Sequence, residues 1–314
     1  MAQRRNRGKK AGSNRADGAA RPRSDQGGRD DGRKHGELLD GRARSGDARG
    51  ARQGGHPQHP VVTSTCIEGR RAVAEALRCG YPVRRALVAK GLEEDPAISE
   101  LLDQLAKAGV AVKWVPRERL DGLSSHGAHQ GIVLEAAPFA YAELADIVAG
   151  ADTGPAGAGG PALVVVLDHV TDEGNLGAIV RSAEVVGAAG VVIPNRRAAA
   201  VGVGAFKTSA GAVMHLPIAQ VPNLARAIDD LKAAGFWVVG ASEHADQCCW
   251  DAPLEGRVVL VMGSEGEGIS RLVRERCDFL TKLPQRGQTE SLNVAQAATV
   301  LMYEWLRRSG SAGL

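Results

Sequence analysis

Five short apolar runs recur in the second half of the chain: "ALVVVLD", "GVVIP", "FWVVGAS", "VVLVMG" and "DFLTKLP". A strand with one wet face alternates apolar and polar residues. These runs are nearly continuous, so both faces of the sheet they form must be covered. Segments with helical spacing are predicted between and after them, at about 176–187, 223–234, 270–276 and 291–308. Strands alternating with helices leave few solutions, and the simplest is a parallel α/β sheet with helices on both sides. Aromatics make up only 4 % of the chain against 44 % hydrophobic residues, so its cores must be built from Ala, Val, Leu and Ile.

Residues 61–140 read as a separate, smaller α/β domain. "CIEGRRAVAEALRCG" carries Ala72, Val73, Ala76 and Leu77 at helical spacing and stops at Gly80. "VRRALVAK", "VAVKWVP" and "HQGIVLEAAP" read as strands, and "AISELLDQLAKAG" as an amphipathic helix ending at Gly109. The order predicts a mostly parallel or mixed sheet. Between the domains, 141–161 is expected to be a linker; its end, "GADTGPAGAGGP", is Gly, Ala and Pro without periodicity. Such a linker would let the domains reorient, and the second domain would run over 162–314.

Residues 1–60 differ from the rest. They hold 15 Lys+Arg against 7 Asp+Glu, net +8, and no Phe, Trp or Tyr; the other 254 residues hold 24 against 29, net −5. Such a segment cannot bury enough apolar area to offset its ordering entropy, so a disordered basic tail is expected. It reads either as a sequence-blind arm that neutralises RNA phosphates or as a solvated tail with no required role. No apolar run approaches the ~20 residues that span a bilayer, and no membrane partner is expected. Five scattered cysteines without CxxC spacing fit a reduced, cytoplasmic protein, and no cluster has metal-ligand spacing.

Three stretches carry chemistry. "NLGAIVRSAE" follows the strand ending at Asp168: Asn175 reads as a helix N-cap, Gly177 as a site of close approach, and Arg181 either as an ordinary surface arginine or as facing the crevice where open α/β sheets bind ligands. "VMGSEGEGIS" breaks from a strand into glycines 263, 266 and 268. Glycine loops commonly cradle phosphate, but Glu265 and Glu267 would repel one, and neither the dinucleotide nor the P-loop spacing is present. "LPQRGQTESLNVAQAATVLMYEWL" places Ser291 and Asn293 at a helix start, with apolar positions 294, 298, 301, 302 and 305 behind them.

Taken together, "NLGAIVRSA", "VMGSEGEGI" and "LPQRGQTESLNVAQA" resemble the three motifs of the SpoU (TrmH-like) RNA ribose 2′-O-methyltransferases of the SPOUT superfamily. The resemblance runs over 162–308 and includes "KTSAGAVMHLPI"; "IEGRRAVAEAL" and "HQGIV" resemble the small substrate-binding domain of the rRNA guanosine branch. It implies a trefoil-knotted catalytic domain, S-adenosylmethionine as cofactor, and a homodimer with apolar residues of the last helix, Val294 to Leu306, at its interface. By correspondence Gly263, Leu283 and Leu292 contact the cofactor through backbone groups, with Gly268 in the same glycine loop. Arg181, Asn175, Glu265, Ser291 and Asn293 are the expected catalytic set. Arg181 is the family's proposed base, although a guanidinium pKa above about 12 favours a phosphate clamp. Glu265 is either structural or substrate-facing. Ser291 and Asn293 would hold substrate and backbone, and Arg286, beside the cofactor loop, is a candidate RNA phosphate contact.

The implied reaction is 2′-O-methylation of RNA, with a guanosine of 23S ribosomal RNA as target. "QTES" departs from the more hydrophobic run of some rRNA members, which leaves tRNA or an antibiotic-site adenosine as alternatives. A non-catalytic RNA-binding protein of the same fold is the rival from another class. His126 and His129 read as loop histidines with RNA contact as the alternative, and His169 as a histidine beside the site.

Overall fold

The structure is a computed structural model, which describes residues 65–124, 127–153, 157–288 and 291–310. The basic tail and His126 lie outside the described residues. The smaller domain contains β1 (Thr65–Glu68), α1 (Arg70–Arg78), β2 (Val83–Ala89), α2 (Pro96–Lys107), β3 (Val112–Val115), α3 (Arg117–Asp121) and β4 (Ile132–Ala136). Its sheet runs β1-β4-β2-β3, with β2 and β3 parallel and β4 antiparallel to both its neighbours. The mixed sheet was expected, but β1 was not. Four residues ended by Gly69 are too few to show a period of two, and they merge in sequence with the helix pattern that follows. α2 starts where Asp95 accepts the N–H groups of Ala97 and Ile98 at 2.9 and 3.3 Å, with Pro96 in the first turn, where no N–H is needed.

The expected linker requires correction. Residues Leu144–Thr153 form helix α4, and Ile147 is fully buried in the same core as Val164, Val192 and Ile228. Gly and Ala weaken the helical signal at 149–152, but one buried Ile and Ala151 on its face are enough to dock the turn.

The larger domain follows as β5 (Ala162–Leu167), α5 (Glu173–Val185), β6 (Gly190–Pro194), α6 (Val203–Thr208), a 3-10 turn (Ala212–Met214), β7 (Ile218–Val221), α7 (Leu224–Ala233), β8 (Trp237–Ala241), β9 (Arg257–Met262), α8 (Arg271–Arg274), β10 (Phe279–Thr281) and α9 (Val294–Ser309). The strands pair in parallel in the order β10-β8-β9-β5-β6-β7. In β5, Leu163, Val165 and Leu167 enter one core with Ile179 of α5 and Leu301 of α9. Val164 and Val166 enter the other with Ile147 and with Leu231 of α7. Both faces are covered, as the continuous apolar runs require. The edge strand β7 and the six-residue α6 are too short to announce themselves by periodicity.

The two domains share a core. Four of the chain's few aromatics gather there: Phe206 of α6 packs edge-on against Tyr81 and Phe139, and Tyr141 packs on Phe139. The Tyr141 hydroxyl accepts the Val201 N–H at 2.9 Å. Glu68, fully buried in β1, faces Lys207 Nζ at 3.6 Å; neither carboxylate oxygen has a hydrogen bond, so this cation is its compensation.

Candidate active site

The carboxyl ends of β5, β9 and β10 converge on one edge of the sheet, where open α/β folds bind ligands. Asp168, buried at the end of β5, ties this edge together. Its Oδ2 accepts the Ser270 N–H at 2.7 Å, fixing the loop after β9, and its Oδ1 is 2.6 Å from Nδ1 of His169. His169 itself is held at φ 61° with a half-exposed ring, and among the described residues it touches those of the site only through Asp168. His129, by contrast, is a buried loop histidine of the smaller domain, joined to Asp121 at 3.0 Å and to the Gly131 N–H at 2.9 Å.

Asn175, Glu265 and Asn293 meet although 90 and 28 residues separate Glu265 from the other two. Glu265 Oε1 accepts from Asn175 Nδ2 at 2.9 Å and from Asn293 Nδ2 at 2.8 Å. Asn293 Nδ2 also donates to Asn175 Oδ1 at 2.9 Å. The Asn293 amide is oriented by the helix it begins. Asn293 is the N-cap of α9, and its Oδ1 accepts the Ala295 and Gln296 N–H groups. With the oxygen committed to the helix, the NH₂ must face Glu265. Asn175 is not the cap it was expected to be. Asp172 caps α5 by accepting the Asn175 N–H at 2.7 Å, which leaves the Asn175 amide for the network.

A cleft opens beside these residues. Its walls include Gly263, Glu265, Gly268, Leu283, Ser291 and Leu292, six of the nine expected site residues. Its apolar floor is Met262, Ile269, Val294, Ala297 and Leu301, and its rim carries Glu243, Glu267 and Arg274. The glycines answer first to the loop itself. A Cβ on Gly263 would run into the backbone of Gly268 and Ile269, and Gly268 has φ 66° in a tight turn closed by Ser264 N–H to Gly268 O at 3.1 Å and its reciprocal at 3.0 Å. Gly263 was expected to meet the cofactor through its backbone; its first constraint is the chain folding back on itself. Gly177 does permit close approach, with the Ala205 carbonyl oxygen 2.6 Å from where a Cβ would stand.

Arg181 does not join the network. It lies two turns along α5, exposed, outside the cleft wall and without a hydrogen bond or ion pair among the described residues. Arg286 is likewise exposed and outside the wall. Ser242, Glu243 and His244, at the end of β8, line the cleft and were missed; the rule that ligands bind at strand carboxyl ends was the available signal.

Residues 162–303 match the SpoU rRNA methylase family, and residues 66–142 match an RNA 2′-O ribose methyltransferase substrate-binding domain. The chain belongs to the SpoU methylase family. An uncharacterized tRNA/rRNA methyltransferase of Mycolicibacterium vanbaalenii is 41 % identical over 265 residues, 84 % of this chain and 83 % of that one. The SpoU methyltransferase AviRb from Streptomyces viridochromogenes, solved in complex with AdoMet, is 28 % identical with a TM-score of 0.64, covering 79 % of this chain and 91 % of that one. The AdoMet-bound rRNA methyltransferase from Sinorhizobium meliloti is 25 % identical with a TM-score of 0.63, covering 78 % and 87 %. This SpoU protein is therefore an RNA methyltransferase, and the two matched segments bracket α4.

Proposed function

We propose that this SpoU enzyme methylates a ribose 2′-hydroxyl in RNA from S-adenosylmethionine, and that its target is a guanosine of 23S ribosomal RNA. The observation that carries the reading is the convergence of all three motifs on one cleft through the Asn175–Glu265–Asn293 network. The cleft fits the cofactor. Its apolar floor suits an adenine, the loop 263–268 brings backbone close to the ligand, and the carboxylates of Glu243, Glu265 and Glu267 suit a cationic sulfonium. The relatives of known structure that carry AdoMet support the same assignment.

When bound, S-adenosylmethionine supplies a methyl carbon to which the ribose oxygen bonds as the carbon–sulfur bond breaks. The chain's residues must position that oxygen and dispose of its proton. Two amide donors hold Glu265 through Oε1 alone, which leaves Oε2 to accept the proton or a ribose hydroxyl. Arg181 cannot act as a base at neutral pH, but it can grip an RNA phosphate and stabilise the developing alkoxide.

A homodimer belongs to this reading. The α9 residues expected at its interface, from Val294 onward, are mostly buried in the chain's own core. Val300 and Tyr303 remain, 39 % and 48 % exposed, with Val185 of the adjacent α5 at 59 %. A second copy docked there would also bring Arg181, one turn from Val185, into an intersubunit position. The trefoil knot and a cytoplasmic location complete the proposal; the latter draws on five cysteines that are all unpaired.

The family description, which names rRNA, favours ribosomal RNA. A tRNA target is the second reading, favoured by the relatives' tRNA/rRNA naming. Incubation with methyl-labelled cofactor and unmodified 23S RNA, 16S RNA or bulk tRNA separates them. Label is expected in 23S RNA alone, on one guanosine; label confined to tRNA would overturn the rRNA assignment.

A further inference from the structure

Away from the cleft, at the join between the domains, three side chains of metal-binding type come together. Glu75 stands on α1 and Cys79 caps its C-terminus one turn on, and His215 follows the 3-10 turn in the larger domain. One ligand atom from each lies within 4.8 Å of the others. Cys79 Sγ is 3.5 Å from Glu75 Oε1 and 3.4 Å from His215 Nε2, and Glu75 Oε1 is itself in contact with His215 Nε2. In a tetrahedral zinc shell with bonds of about 2.0–2.3 Å, neighbouring ligand atoms stand ~3.3–3.7 Å apart. Two edges of the triangle already have that length, and the third has to open.

Arg78 donates to both Glu75 oxygens, and its Nη2 lies 3.3 Å from His215 Nε2. That ring nitrogen thus faces a guanidinium and a thiol, which are donors, and a carboxylate, which is an acceptor. A divalent ion on the lone pairs of imidazole, thiolate and carboxylate satisfies all three together.

We propose that Glu75, Cys79 and His215 bind a zinc-class divalent cation, with water as fourth ligand, which clamps α1 of the smaller domain to the larger one. The mixed N, S and O donor set selects zinc over the oxygen-seeking magnesium and calcium. Arg78 occupies the approach, but its side chain is 68 % exposed and can swing into solvent as the ion enters.

Cobalt(II) titration of the reduced, metal-stripped full chain tests this. One equivalent should give a thiolate-to-cobalt absorption in the near ultraviolet, displaced by zinc. Cys79→Ser, at an exposed position that tolerates the change, should abolish it. Loss of an outer-shell partner alone costs about 10–100-fold in metal affinity, so His215→Ala should weaken binding at least about tenfold. Arg78→Ala should tighten binding, because a competing cation is gone. Histidines of the basic tail can hold cobalt without a thiolate, so they give no such band. Absence of the band in the wild type, its persistence in Cys79→Ser, or weaker binding in Arg78→Ala overturns the proposal.

Discussion

Asn293 serves the helix with its oxygen and the network with its nitrogen, and a substitution can separate the two. Asn293→Asp keeps an acceptor for the Ala295 and Gln296 N–H groups but replaces the amide donor with a carboxylate facing Glu265. Thermal stability should therefore change little, whereas Asn293→Ala should lose about 1 kcal/mol of capping. Methyl transfer should fall at least about tenfold in both variants. A stable, fully active Asn293→Asp would remove the network from the mechanism. Arg181 makes the opposite test. It is exposed and unpaired among the described residues, so Arg181→Ala should leave melting temperature and cofactor affinity unchanged, with transfer down about 10²-fold. Rescue by Arg181→Lys would indicate a point charge, and no rescue a planar fork. Normal turnover in Arg181→Ala would exclude it from the reaction. The motif residues could be read from the chain because loop glycines, helix-start polar residues and acids in order form a pattern. Their bonding could not. Asp172 displaced Asn175 as the cap because both are good caps, and only the backbone decides which one is in place.

At the scale of elements, α5 and α9 pack together, with Ser182 and Thr299 joined at 2.7 Å across them, and turn Val185, Val300 and Tyr303 outward. Light scattering should report a dimer for the wild type. The double variant Val300→Glu/Tyr303→Glu should be a folded monomer with reduced transfer, since each carboxylate would be desolvated at the interface. A fully active wild-type monomer would contradict the assembly. Long, strongly periodic elements such as α2, α7 and the continuous strands were legible from residue patterns alone. β1, β7 and α6 were not, because four to six residues without a continuous apolar run cannot establish a period. α4 was hidden by its Gly and Ala content, since a single burial contact at Ile147 decides its docking and no local pattern encodes that contact.

For the whole molecule, the charge split makes a prediction independent of the cleft. Deleting residues 1–60 removes net +8 from the chain. RNA affinity should fall most at low salt, and the slope of log affinity against log salt should become shallower. The melting temperature should not move; a lower one would mean that the tail packs on the folded part. The join between the domains, with its shared aromatics and the Glu68–Lys207 pair, came from contacts between residues more than sixty apart and left no trace in local sequence. The reaction itself is tested most directly by digesting enzyme-treated RNA to nucleosides and locating the transferred methyl by mass spectrometry. The account predicts that the methyl is on the ribose, that it appears only with S-adenosylmethionine present, and that Asn293→Asp reduces it in proportion to the loss of turnover. A methyl on the base, or no transfer to any RNA by a folded, cofactor-bound protein, would contradict it.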